Sequence, residues 1–100
     1  MAILQVMGGE YFMVVRELND GDIKSWGDFI NESVLKSTFV EDFKFKLCFK
    51  LGVETNGKLI SAVEVKGGED EVKLYSLPQY KEVDFEGILI SAAKYYNSCH

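Results

Sequence analysis

Histidine is almost missing from this sequence: His100 is the only one, and it occupies the last position, where ordering is least expected. That removes most acid–base chemistry, because a Ser-His-Asp or Cys-His arrangement needs a base held rigidly by a third group. Cysteine occurs only at Cys48 and Cys99, which form no CxxC pair and no spaced quartet. Their spacing argues against a zinc site and favours a reducing compartment. Long apolar runs are lacking too. Met1 to Met7 are apolar but carry neither a basic flank nor a small-residue cleavage site, and the stretch is too short to cross a bilayer. The expectation is a cytoplasmic protein, of a cell or of an infected host, with no membrane partner. No catalytic, cofactor-binding or metal-binding residue is assigned.

Positive charge is in deficit as well, with 11 Lys and Arg against 16 Asp and Glu for a net charge of −5. This balance repels phosphate backbones, so direct nucleic-acid binding is not expected, while basic protein surfaces are favoured. What the chain has in plenty is greasy: 47% of its residues are hydrophobic, including 7 Phe and 5 Tyr. That is globular composition, and 100 residues suffice for one domain, residues 1–100, burying roughly 60–70% of its unfolded surface.

Along the chain, Ala2 to Met7 and Glu10 to Leu18 flank Gly8-Gly9 and predict a hairpin, with Val6 opposite Tyr11 and Leu4 opposite Met13. Asn19-Asp20-Gly21-Asp22 supplies capping oxygens before Ile23, Trp26, Ile30 and Val34, a helical stripe predicting a first helix over 22–36. From Phe43 to Val53 apolar residues alternate strictly with Lys44, Lys46, Cys48 and Lys50, the clearest strand pattern in the sequence. The turn at Asn56-Gly57 is expected to use a three-residue loop that sets Val53 against Leu59 and Phe49 against Val63. A further strand over 71–77 ends at Pro78, and Phe85, Ile88, Leu89, Ala92 and Tyr96 mark a second helix capped by Asp84. The predicted fold is α+β and two-layered: an antiparallel sheet of about five strands, order ββαβββα, with two helices on one face. The other face, bearing Lys44, Lys46, Cys48, Lys50, Glu64 and Lys66, is expected to meet solvent or a partner.

Gly67-Gly68-Glu69-Asp70-Glu71 resembles the glycine-glycine-acid-acid signature of diguanylate cyclases over five residues. Here the third and fourth positions read Glu-Asp, Glu71 replaces the aromatic fifth, and the rest of the family pattern is missing. The stretch is therefore assigned to a solvated turn whose glycines supply positive φ. Glu82, Asp84 and Glu86 are assigned to the start of the second helix, where acids suit exposed N–H groups.

Three functions fit this reading. The first is a non-enzymatic interaction module, an acidic inhibitor, immunity protein or virus-encoded antagonist, that binds a basic protein surface. Its contacts would be Glu69, Asp70 and Glu71, with Tyr75, Tyr80 and Tyr95 as anchors, since tyrosine suits surfaces that are apolar yet wet. The second is a small-molecule-binding or enzymatic domain with a pocket between sheet and helices. The third is a structural homo-oligomer, or homodimer, pairing through sheet edges or the tyrosine surface.

Overall fold

The computed structural model describes the backbone of residues 2–8 and 11–100 and the side chains of residues 13–100. Two strands, β1 (Ala2–Gly8) and β2 (Tyr11–Glu17), precede helix α1 (Ile23–Glu32). Four more strands follow, β3 (Val34–Phe39), β4 (Phe49–Thr55), β5 (Lys58–Val65) and β6 (Glu71–Ser76), and helix α2 (Phe85–Cys99) completes the chain. The α+β, antiparallel architecture is the one the sequence indicates, with one additional strand. All six strands form one sheet in the order β1-β2-β4-β5-β6-β3, and every neighbouring pair is antiparallel.

The added strand is β3. Residues 33–36 were expected to continue the first helix, but Ser33 is extended, with φ −85° and ψ 159°. Its N–H still closes the last turn on Phe29 at 3.0 Å. Val34 falls on the helical stripe by spacing alone. In the fold it pairs with Ser76, and the β-branched and aromatic character of Val34, Thr38 and Phe39 suits the pleat.

The two helices lie on opposite faces of the sheet, which corrects the two-layer expectation. Register places Lys50, Ala62 and Tyr75 on one face, and Leu51, Val63 and Leu74 on the other. Trp26 and Phe29 of α1 meet the Tyr75 ring at centroid distances of 5.4 and 6.5 Å, and the Lys50 ammonium sits 4.7 Å from the Trp26 ring centre. Tyr96 of α2 packs instead on Phe49, 4.4 Å between ring centres. The sheet face expected to be open is thus partly roofed by α1. Central β5 shows why three layers were needed: Leu59, Ile60, Ser61, Ala62 and Val63 are all buried, so the strand needs cover on both sides. The α2 side holds the larger core, where Met13, Val15, Leu51, Val63 and Val72 meet Phe85, Leu89 and Ala93. Each large side chain so buried contributes about 1.5–3 kcal/mol.

Both hairpin registers differ from expectation. β1 pairs Val6 with Met13 and Gly8 with Tyr11, while the turn expected at Gly8-Gly9 lies partly outside the described residues. At the second hairpin Asn56 and Gly57 both adopt positive φ, 52° and 76°, the conformation of a two-residue turn. Thr55 therefore faces Lys58 and Glu54 faces Leu59; a bulge then shifts the ladder so that Leu51 faces Val63 and Phe49 faces Val65. The bulge satisfies two demands at once: the turn keeps its preferred length, and the apolar residues still meet apolar partners.

The alternation from Phe43 survives in burial, with Phe45 buried and Lys44 and Lys46 exposed, but the ladder starts only at Phe49. Residues 40–48 connect β3 to β4 across the end of the sheet, over the β5–β6 turn. Val40 N–H bonds to the Asp70 carbonyl at 2.7 Å, Phe45 N–H to that of Glu69 at 3.1 Å, and Gly68 N–H to that of Phe45 at 2.7 Å. Gly67 lets the two segments touch, since a Cβ there would lie 2.8 Å from the Lys46 carbonyl oxygen.

Candidate interaction edge

β3 is an edge strand, paired only with β6 among the described residues. Its pairing pattern shows which backbone groups remain outward. In an antiparallel ladder, hydrogen-bonded residue pairs alternate with non-bonded ones. Val40 bonds to Asp70 across this ladder, so Thr38, Lys36 and Val34 share its orientation toward β6. The bond from Leu77 N–H to the Ile60 carbonyl at 3.0 Å, on the far side of β6, agrees with that phase. Leu35, Ser37 and Phe39 thus point their N–H and C=O groups away from the sheet.

The side chains of β3 are as uncovered as its backbone. Val34, Leu35 and Phe39 are 60%, 52% and 70% exposed, while the core residues of neighbouring β6, Val72 and Leu74, are 1% and 5% exposed. Natural edges are usually blunted by proline, bulges or covering loops, and β3 has none of these. Its single lysine, Lys36, holds Glu86 of α2 at 2.7 Å.

Acidic residues flank this edge at both ends. Beyond Phe39 come Glu41 and Asp42, and Glu71 and Asp70 stand opposite Phe39 and Val40, with Glu69 next to them in the turn. Glu32 lies at the other end, closing α1. Residues 32–42 and 69–71 hold these six acidic residues and one basic residue, Lys36, while Lys66 and Lys73 border Glu69 and Glu71 on the α1 face. Lys73, opposite Ser37 on β6, stands also across from Glu64 of β5.

The six residues singled out in the sequence do not form one patch. Glu69, Asp70 and Glu71 gather at the β3–β6 corner. Tyr75 lies beneath α1, its hydroxyl donating to Glu64 at 3.1 Å, and burial together with that carboxylate pushes its phenol up to about 12. Tyr80 follows the far end of β6, half-buried, with its ring 6.4 Å from that of Phe85. Tyr95 is 62% exposed on the outer surface of α2, where the neighbouring Cys99 side chain raises its phenol above the ordinary value. Adjacent Tyr96 faces the core and donates to Glu17 at 2.7 Å. The sequence reading missed Val34, Leu35 and Phe39. Their signal was the β-branched and aromatic run Val-Leu-Lys-Ser-Thr-Phe-Val, which lacks the two-residue alternation because neither face of β3 is covered.

Two open clefts adjoin the edge. One, about 610 Å³, lies between β3 and the start of α2 and is lined by Val34, Lys36, Tyr80, Val83, Asp84 and Glu86. The other, about 500 Å³, lies on the α1 face of the acidic corner, where Glu64, Glu69 and Glu71 meet Lys66 and Lys73. Among the described residues no three His, Cys, Asp or Glu side chains are grouped to hold a metal ion, and no helix is long and apolar enough to cross a membrane. Comparison with protein-family models, curated proteins and solved structures found no match.

Proposed function

We propose that this protein is an interaction module that binds a basic surface of another protein, in the manner of a small acidic inhibitor. The observation that carries this reading is the gathering of Glu41, Asp42, Glu69, Asp70 and Glu71 beside the exposed Phe39 ring at one corner of the sheet. An apolar anchor rimmed by one sign of charge is the usual composition of a surface that recognises an oppositely charged partner. Cys48 and Cys99 are exposed and not disulfide-bonded, which supports a reducing, cytoplasmic setting.

The test is affinity capture from native lysate at increasing salt, followed by mass spectrometry, with Glu69→Lys/Glu71→Lys as the comparison. The wild type should recover a basic protein whose retention falls with salt, and the double variant should lose it. Equal recovery by both proteins would remove the acidic corner from the binding surface.

A further inference from the structure

We infer that the β3 edge accepts an extended strand of the partner, a segment of alternating apolar residues flanked by Lys or Arg, which joins the sheet as a seventh strand. The inference rests on the interaction reading above and adds the mode of binding to it. Strand addition needs a free row of backbone donors and acceptors, and Leu35, Ser37 and Phe39 present three such pairs at two-residue spacing. It also needs contacts for alternate side chains of the incoming strand. Leu35 and Phe39 offer these on the α1 face, and Val34 offers one on the α2 face beside the 610 Å³ cleft.

Charge selects the occupant. Glu32 lies at one end of the edge, and Glu41, Asp42, Asp70 and Glu71 lie at the other. A strand with cations at both ends meets carboxylates in either direction. A second copy of this chain fits poorly. Antiparallel pairing about Ser37 would align Leu35 with the other copy's Phe39, but it would also bring the Glu32 end of each edge to the Glu41 and Asp42 end of the other.

The probe is a short synthetic peptide of alternating valine and threonine with arginine at both ends, titrated by fluorescence anisotropy against the full chain. Binding should slow amide exchange at Leu35, Ser37 and Phe39, the three that exchange fast in the free protein while Lys36 and Thr38 are protected. Ser37→Pro removes one outward N–H, a substitution an edge strand tolerates. It should leave the thermal midpoint unchanged and weaken the peptide about tenfold or more. The same peptide N-methylated at alternate residues should bind the wild type no better, which keeps the test valid if Ser37→Pro proves unstable. Undiminished binding by the N-methylated peptide, or protection confined to other strands, would overturn the inference. So would a concentration-dependent dimer that Ser37→Pro abolishes, which would make the occupant a second copy. Capture of a basic protein that survives Ser37→Pro but not Glu69→Lys/Glu71→Lys would overturn strand addition alone and leave the interaction module standing.

Discussion

Arg16 grips Asp22 with both ends of its guanidinium, Nη1 to Oδ2 at 3.0 Å and Nη2 to Oδ1, and so ties the end of β2 to the start of α1. The same guanidinium reaches back to Glu54 on β4, with Nε 2.7 Å from Oε1. Asp22 also accepts the Asn19 N–H at 2.9 Å, completing a reciprocal cap. The Arg16 contact first, and then this backbone bond, hold the Asp22 carboxyl down at about 2, below its ordinary 3.8. A lowered value in the folded state means the contribution is full above 3.8 and is lost as pH falls toward 2. Asp22→Asn should therefore lower stability by about 1–2 kcal/mol at neutral pH. Denaturant unfolding at several pH values should show that difference shrinking below 3.8; a difference constant with pH would mean the carboxylate charge plays no part.

The connection over the sheet end should be as demanding as the core. Phe45 is 1% exposed, and its ring lies 4.8 Å from that of Phe43 and 6.1 Å from that of Phe49. Phe45→Ala should cost about 3–5 kcal/mol. Gly67→Ala should cost about 1–3 kcal/mol, because the added methyl meets backbone rather than a movable side chain. Exposed Lys44→Ala should change stability by less than about 0.5 kcal/mol. Equilibrium unfolding in urea ranks the three, and a neutral Gly67→Ala would refute the close crossing.

Two glycines should respond in opposite directions. Gly27 is exposed within α1, and a Cβ there would meet nothing within 4 Å, so Gly27→Ala should raise stability by about 0.5–1 kcal/mol through helix propensity. Gly57 also has open space, but its φ of 76° is a conformation alanine resists, and Gly57→Ala should lower stability by about 1 kcal/mol. The opposite signs separate backbone conformation from crowding, and thermal midpoints suffice to read them.

Alkaline titration examines the α1 face of the sheet. Burial is the main cause raising the Tyr75 phenol to about 12, with Glu64 adding to it, while an unfolded chain would ionise that group near 10. The resulting stabilisation is full below 10 and is lost as pH rises toward 12. The ultraviolet difference between wild type and Tyr75→Phe should thus titrate near 12. A midpoint near 10 would place Tyr75 in water and α1 elsewhere.

Much of the strand and helix content was legible because it follows local rules. Asp84 accepts the Gly87 N–H at 3.1 Å as an N-cap should, and Pro78 stands just past the end of β6. The layer arrangement was legible only in part. Leu59 to Val63 is a short run buried on both faces, a pattern that marks a strand between two helices, but the lysine alternation leading into β4 pointed to an open face. Lys50 resolves the conflict by lying against Trp26 and 4.0 Å from Glu64, so a charged residue occupies a covered face. The β3 edge was least legible, because an uncovered strand imposes no burial period on its sequence.

Phe39 and Glu71 are neighbours in the sheet but lie on either side of the whole β4–β5 hairpin in the chain. Closing that span sacrifices more chain freedom than the short turns joining β4, β5 and β6, which can assemble among themselves first. Among the described strands β3 is held to the sheet through β6 alone, so it can detach without breaking the β4–β5 or β5–β6 ladders. A segment bound along its outer side would leave β3 paired along both its backbone edges at once and so oppose that detachment.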